Sequence, residues 1–327
     1  MSLLLVTSNT PLFSLRFFLV LILLFSLSCN NETGYTSVDF SKIVKVDRTE
    51  SRYDENTGLR VAVAAMVSPK ETVVHYRELL DYLGRKLERR VHLIQRKTYG
   101  EINELFVERQ LDLGFICSGP YTGGDQEYGF EVLAIPQVNG SNFYQSYLIV
   151  HKDSRFQNLE NLRGGTFAFT DPESNTGRLV PVYWLLQQRE TPDIFFKKSI
   201  YTYSHDNSIL AVARKLVDGA AVDGHIWEYY NRRDPVDTSK TRIIRKSESF
   251  GNPPVVASTY LSGKVKERIR QALFSMHLNS DGKRILAELM IDRFIVPKET
   301  WYDPIRRMKQ TLSLSEKTTH ANAKLKK

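Results

Sequence analysis

The chain has 327 residues, 42% hydrophobic and 25% charged, enough for one large domain or two ordinary ones with a substantial core. Its formal charge of +8 is spread along the chain with no basic cluster interleaved with aromatics, which argues against a nucleic-acid partner and fits solvated surface. There is no internal repeat and no long low-complexity tract.

Arg16 is followed by FFLVLILLFSLS, a run too short to span a bilayer comfortably, which ends at Cys29. This layout predicts a secretory signal peptide over residues 1–28. SLSCNN around Cys29 resembles a bacterial lipobox, in which the cysteine is lipidated and becomes the new N-terminus. Ser26 stands where Leu is commoner, so ordinary signal cleavage or retention of an N-terminal anchor stays open. Residues 29–57 are polar and suit a tether. A lipidated Cys29 leaves Cys117 as a lone thiol with no internal disulfide to form. Cys117 lies in LDLGFICSG with no cationic neighbour in sequence, and reads as a small buried hydrophobe.

The body opens with LRVAVAAM, a strand, followed by a helix on which Val73, Tyr76, Leu80, Leu83 and Leu87 recur at helical spacing after Pro69. VHLIQR, YGEINELFVERQ and LDLGFIC then read strand, helix, strand. A second series begins at QSYLIVHK and runs through NLENLRGG, GTFAF, RLVPVYWLLQQRE, NSILAVARKLVDG and AAVDG. FGNPPVVAS leads to closing helices around KERIRQALFSM and GKRILAELM. Strands alternating with helices predict an α/β protein with mostly parallel sheets covered by helices. Two such series predict two lobes with a ligand cleft between them: 58–145 and 255–313 form the first lobe, 146–254 the second, and 314–327 is a frayed tail.

Between GTFAF and VYWLLQQ stands DPESNTGRLVP, Asp171–Pro181. Hydroxyls, an amide and a glycine where a strand hands over to a helix suit a capped turn. They equally suit an anion site, because the free N–H groups and positive dipole end of a helix start bind phosphate-like groups.

DPESNTGRLVP matches the Asp-Pro-x-Ser-x-Ser/Thr-Gly-x-x-x-Pro pattern of the type II periplasmic substrate-binding proteins of ABC importers for phosphonate, phosphite and phosphate. The chain resembles that family from Leu59 to Leu312. The resemblance implies a two-lobed fold, each lobe a mixed, mostly parallel sheet flanked by helices, and no catalysis. It also implies that Ser174, Asn175 and Thr176 grip a phosphorus headgroup, with Gly177 allowing close backbone approach. Asn175 stands where the family often has Thr, and its amide is expected to donate. YSHDNSILAVARKLVDGAAVDG resembles the family segment that supplies a second-lobe His, here His205, expected to act as an imidazolium donor. Helix capping competes as its role, with Asp206 or Asn207 as other caps. Tyr99 and Tyr144 match cleft-facing family tyrosines, although Phe143 and Tyr147 blur the register and core packing competes. Tyr121, with Ser118, sits in the family-like turn CSGPYTGG. Asp223 is a candidate acceptor from a protonated ligand oxygen, or a turn residue beside Gly224. Asn252, Pro253 and Pro254 replace an acidic residue that helps relatives hold an aminoalkyl group.

The implied partners are a small phosphorus oxyanion, a membrane permease and the membrane itself through the lipid, with a monomer expected and no cofactor. The same fold also serves sensing for a membrane kinase. An enzyme reading lacks HExxH, Gly-x-Ser-x-Gly and phosphate-loop motifs, and its remaining foothold is a metal site of His205, Asp223 and His225.

Overall fold

The computed structural model describes residues 58–324; the expected signal peptide and tether, with Cys29, lie outside them. The chain runs β1 (Leu59–Val63), α1 (Pro69–Leu87), β2 (Val91–Ile94), α2 (Tyr99–Val107), β3 (Leu113–Phe115), α3 (Ser118–Tyr121), α4 (Gly124–Tyr128) and β4 (Phe130–Val138). It continues through β5 (Phe143–Tyr144), β6 (Ser146–His151), β7 (Thr166–Phe169), α5 (Val180–Gln187), α6 (Pro192–Phe195) and β8 (Lys198–Tyr201). Next come α7 (His205–Ala213), β9 (Gly219–Asp223), α8 (Gly224–Arg233), β10 (Thr241–Lys246) and β11 (Phe250–Gly251). β12 (Val255–Ser258), α9 (Gly263–Ser275), α10 (Ser280–Glu288), β13 (Ile291–Ile295) and α11 (Asp303–Lys324) complete it.

Helix starts matter most here, and their causes are local. Pro69 occupies the first turn of α1, Glu71 complements its positive end, and Arg85 and Lys86 its negative end. Leu79, Leu80, Leu83 and Leu87 are buried along one face, each contributing about 2 kcal/mol of apolar burial. At α2 the Thr98 hydroxyl accepts from the Glu101 N–H at 3.2 Å, while the Glu101 carboxylate accepts from the Thr98 N–H at 2.8 Å. This capping box fixes Tyr99 as the first helical residue.

Two mixed sheets form the lobes. The first has the order β13-β4-β12-β3-β1-β2 and the second β10-β6-β9-β7-β8. Parallel pairing joins β1 to β2 and β3, and β7 to β8 and β9, the halves built by successive β-loop-α units. The other half of each sheet is antiparallel, because β12 and β6 enter after crossing from the opposite lobe. The crossing itself is the two-stranded pair β5–β11, with Tyr144 opposite Phe250 and Phe143 opposite Gly251. QSYLIVHK and PPVVAS, which follow the two crossings, are thus the first strands inside each sheet.

The first lobe is cored by residues such as Val61, Leu83, Leu113, Val255 and Phe294, and the second by Ile149, Val212, Ala220 and Val222. A third cluster joins them: Phe106 and Ile102 of the first lobe meet Phe167 and Trp184 of the second through Tyr302, Ile305 and Met308. The frayed tail expected from residue 314 is instead the continuation of α11 as far as Lys324. Ile305 and Met308 anchor its first turns in the core, and once nucleated a helix extends with one hydrogen bond for each residue added.

Candidate functional site

DPESNTG folds as a tight loop that enters a π-helical turn, Asn175–Leu179, before α5. Its ladder starts with the Arg178 and Leu179 N–H groups donating to the Ser174 carbonyl, so the amides before them have no partner along the turn. Ser174 caps: its hydroxyl accepts from the Gly177 N–H at 2.9 Å. A Cβ on Gly177 would lie 2.4 Å from the Thr170 hydroxyl, so packing of the turn on the end of β7 by itself requires a glycine here. A Cβ on Gly119 would lie 2.4 Å from the Glu173 carbonyl, which shows how closely CSGP of the first lobe abuts the loop.

The lobes touch along this seam. The Tyr99 N–H donates to Asp171 at 3.1 Å, the His205 N–H to the Met66 carbonyl at 2.9 Å, and the Ser68 N–H to Asp206 at 2.9 Å. Helices α1, α2, α7 and α8 therefore all begin at the junction, which concentrates the positive ends of four macrodipoles. Asp206 bridges the lobes and the Asn207 amide donates to the Thr202 carbonyl, so neither caps α7 as expected.

Buried polar atoms mark the centre of the seam. Ser174, Asn175, Thr176, His205, Tyr99, Tyr144 and Asp223 are all 3% exposed or less. Of nine buried side-chain polar atoms with no hydrogen-bond partner among the described residues, four are here: the Tyr99 hydroxyl, the Asn175 carbonyl oxygen and the hydroxyls of Thr176 and Ser204. Buried orphans are uncommon because each forfeits its hydration, so a group of them drawn from both lobes requires an explanation. Three are hydroxyls that can donate; the fourth is an acceptor, because the Asn175 NH2 already donates to the Tyr144 hydroxyl at 3.1 Å. One of the two N–H donors expected of the Asn175 amide is thus engaged by Tyr144.

A profile of the phosphonate ABC transporter periplasmic substrate-binding proteins matches residues 61–302. The chain belongs to this family. It is 29% identical over 175 residues to the phosphonates-binding periplasmic protein of Escherichia coli, an alignment covering 52% of each chain, so it spans about half the length of that relative. The binding component of a phosphonate ABC transporter from Pseudomonas aeruginosa superposes with a TM-score of 0.73 at 24% identity, covering 77% of this chain and 85% of that one. A Prochlorococcus marinus protein, solved with methylphosphonate, superposes with a TM-score of 0.71 at 21% identity, covering 79% and 99%. The family is one of substrate-binding proteins, not enzymes.

Several expectations about this phosphonate-binding family member change with the geometry. His205 is no imidazolium: its Nδ1 accepts from the Asp223 N–H at 3.0 Å, and burial pushes its pKa down to about 3. The neutral ring therefore carries its proton on Nε2 and donates from there. Asp223 caps α8, one carboxylate oxygen accepting from the His225 and Ile226 N–H groups at 2.7 and 3.3 Å, and burial raises its pKa. Tyr121 is not brought to the junction: its hydroxyl donates to Glu299 and its ring packs on Tyr302 at 4.4 Å. Ser118 ties its turn to β11 through the Gly251 carbonyl at 2.8 Å. Burial pushes the Cys117 thiol up to about 11, against the smaller opposing pull of the Asn175 and Gly119 N–H groups, so it has no thiolate character. The metal-site alternative loses its ligands, since His205 Nδ1 faces a backbone N–H and His225 Nε2 bonds Asn252 at 2.9 Å.

Sequence reasoning missed Ser204. Its place before His205 and the α7 start signals a cap, yet its hydroxyl makes no cap bond and is one of the four orphans.

Proposed function

We propose that this chain captures a small phosphorus oxyanion, a phosphonate, phosphite or phosphate, in the periplasm and delivers it to an ABC permease, tethered through a lipidated Cys29. The observation that carries the reading is the set of four unpartnered buried polar atoms at the seam between lobes. Thr176 and Ser204 on the second lobe and Tyr99 on the first supply neutral donors, reinforced by four helix starts. The Ser174 hydroxyl keeps a proton to donate while it caps the turn. Tyr144 serves by orienting Asn175, whose carbonyl oxygen accepts from a protonated phosphoryl oxygen; Asp223 has the same preference. A monoanionic headgroup suits this mixture of donors and acceptors better than a dianion. The name of the Escherichia coli relative and the ligand of the Prochlorococcus marinus structure both support a phosphonate-type ligand.

Calorimetric titration of the full-length chain with phosphate, phosphite, methylphosphonate and sulfate tests this. One-to-one saturable binding of at least one phosphorus oxyanion, in preference to sulfate, is expected. Sulfate is fully ionised and offers no proton to Asn175. Binding of none of the phosphorus oxyanions would overturn the proposal.

A further inference from the structure

Glu173 holds the position that the pattern Asp-Pro-x-Ser leaves open, and its side chain crosses the seam. One carboxyl oxygen accepts from the Asn103 NH2 on α2 at 2.5 Å. The other lies against Gly100 of the same helix, where a Cβ would stand 3.2 Å from it. Asn103, Gly100 and the close-packed Gly119 all belong to the first lobe, so Glu173 of the second lobe is covered only where the lobes meet. Asn103 is 2% exposed, and its carbonyl oxygen is another of the buried polar atoms without a partner among the described residues.

A proton on Glu173 supplies the missing donor. A carboxylic acid and a side-chain amide each present one donor and one acceptor on adjacent atoms, so the two close as a pair through an N–H···O and an O–H···O bond. A carboxylate has no proton for the Asn103 oxygen and leaves it orphaned. The charged and titratable groups around Glu173 are Asp171 in its own loop, Glu127 and Tyr128 on α4, and Lys309 on α11. Both Asp171 oxygens accept backbone N–H groups, from Tyr99 at 3.1 Å and from Glu173 at 2.8 Å, which favours an ionised Asp171. Lys309 donates to the Gly119 carbonyl at 2.8 Å. Burial first, then the Asp171 charge, raises the Glu173 pKa above its ordinary 4.5 against the pull of Lys309.

We propose that Glu173 is a positioning residue that takes a proton from solvent as the lobes meet, its O–H donating to the Asn103 carbonyl oxygen, so that oxyanion capture is coupled to proton uptake. The inference rests on the headgroup reading above and adds a pH dependence that belongs to the protein. Below about pH 4.5 the exposed and the covered carboxyl are both protonated, and closure buries no charge. As pH rises toward the raised value, closure draws a proton from an ever scarcer supply, and affinity falls by up to about tenfold for each pH unit.

The full-length parent and Glu173→Gln are titrated calorimetrically with phosphate, phosphite and methylphosphonate from pH 5 to pH 8, each in two buffers of different ionisation heat. Gln keeps the shape of the acid and offers an NH2 to Asn103 at every pH, and ionisation of the ligand itself is common to both chains and cancels in the comparison. On binding, the parent is expected to take up more protons than the variant at pH 5 to 6. It is also expected to lose at least fivefold in affinity relative to the variant between pH 5 and pH 8. Equal proton uptake, or affinities in constant ratio across that range, would overturn the inference and leave the headgroup reading standing. Failure of all three ligands to bind the parent would overturn the headgroup reading, and this inference with it.

Discussion

His205 sits among neutral hydrogen-bonding groups and titrates at about 3 in the folded chain against the usual 6.5. Between those values the unfolded chain binds one proton more than the folded chain at this site. The contribution to stability is therefore complete above about pH 6.5 and is lost as pH falls through the window, by about 1.4 kcal/mol per pH unit. Asp171, Glu173 and Asp223, whose pKa values burial raises, act in the opposite direction, so the effect is read as a difference between two chains. His205→Asn keeps an acceptor near Nδ1 and is expected to lose stability less steeply than the parent between pH 6 and pH 4 in urea unfolding. Parallel slopes would show that the folded ring is protonated there. Oxyanion affinity from pH 6 to pH 8, in turn, is expected to owe nothing to the titration of His205. The sequence pointed to this histidine but not to its charge, because its two partners, Thr170 and the Asp223 amide, lie 35 and 18 residues away.

At the scale of the element, the π-helical turn of DPESNTG carries a cap and leaves a hydroxyl for the proposed anion site. Ser174 satisfies one amide while Thr176 keeps its hydroxyl unpartnered. Gly177→Ala forces a Cβ against Thr170, and since the turn is buried on all sides it is expected to destabilise the chain by about 1–3 kcal/mol. Thermal unfolding checks this, and an unchanged melting temperature would show that the turn relaxes freely. Much of this architecture was legible in the sequence. Helix periodicity placed α1 and α2, and the alternation of strands and helices gave two α/β lobes. What escaped were features set by distant contacts: the antiparallel halves of the sheets, the β5–β11 crossing, the reach of α11, and Ser204 as an unpartnered hydroxyl. Tyr121 was misplaced for the same reason, since its partner Glu299 is 178 residues along the chain.

For the whole molecule, the proposed function requires the lobes to meet across the seam. Asp206 holds the Ser68 N–H from the opposite lobe and forms no part of the donor set. Asp206→Ala removes about 1 kcal/mol of closure, so oxyanion affinity is expected to fall about fivefold by calorimetry. Unchanged affinity would show that this contact does not hold the lobes together. The donor set itself is best tested through Thr176 and Ser204, because replacing Ser174 would also remove a helix cap. In Thr176→Val with Ser204→Ala, two orphaned hydroxyls disappear, so the unliganded chain should melt at or above the parent temperature. Affinity for the best-bound phosphorus oxyanion, measured by calorimetry on the same preparation, should fall by roughly 30- to 1,000-fold, the loss of 2–4 kcal/mol of charge-assisted hydrogen bonding. Parental affinity in that double variant would contradict an oxyanion site at the seam.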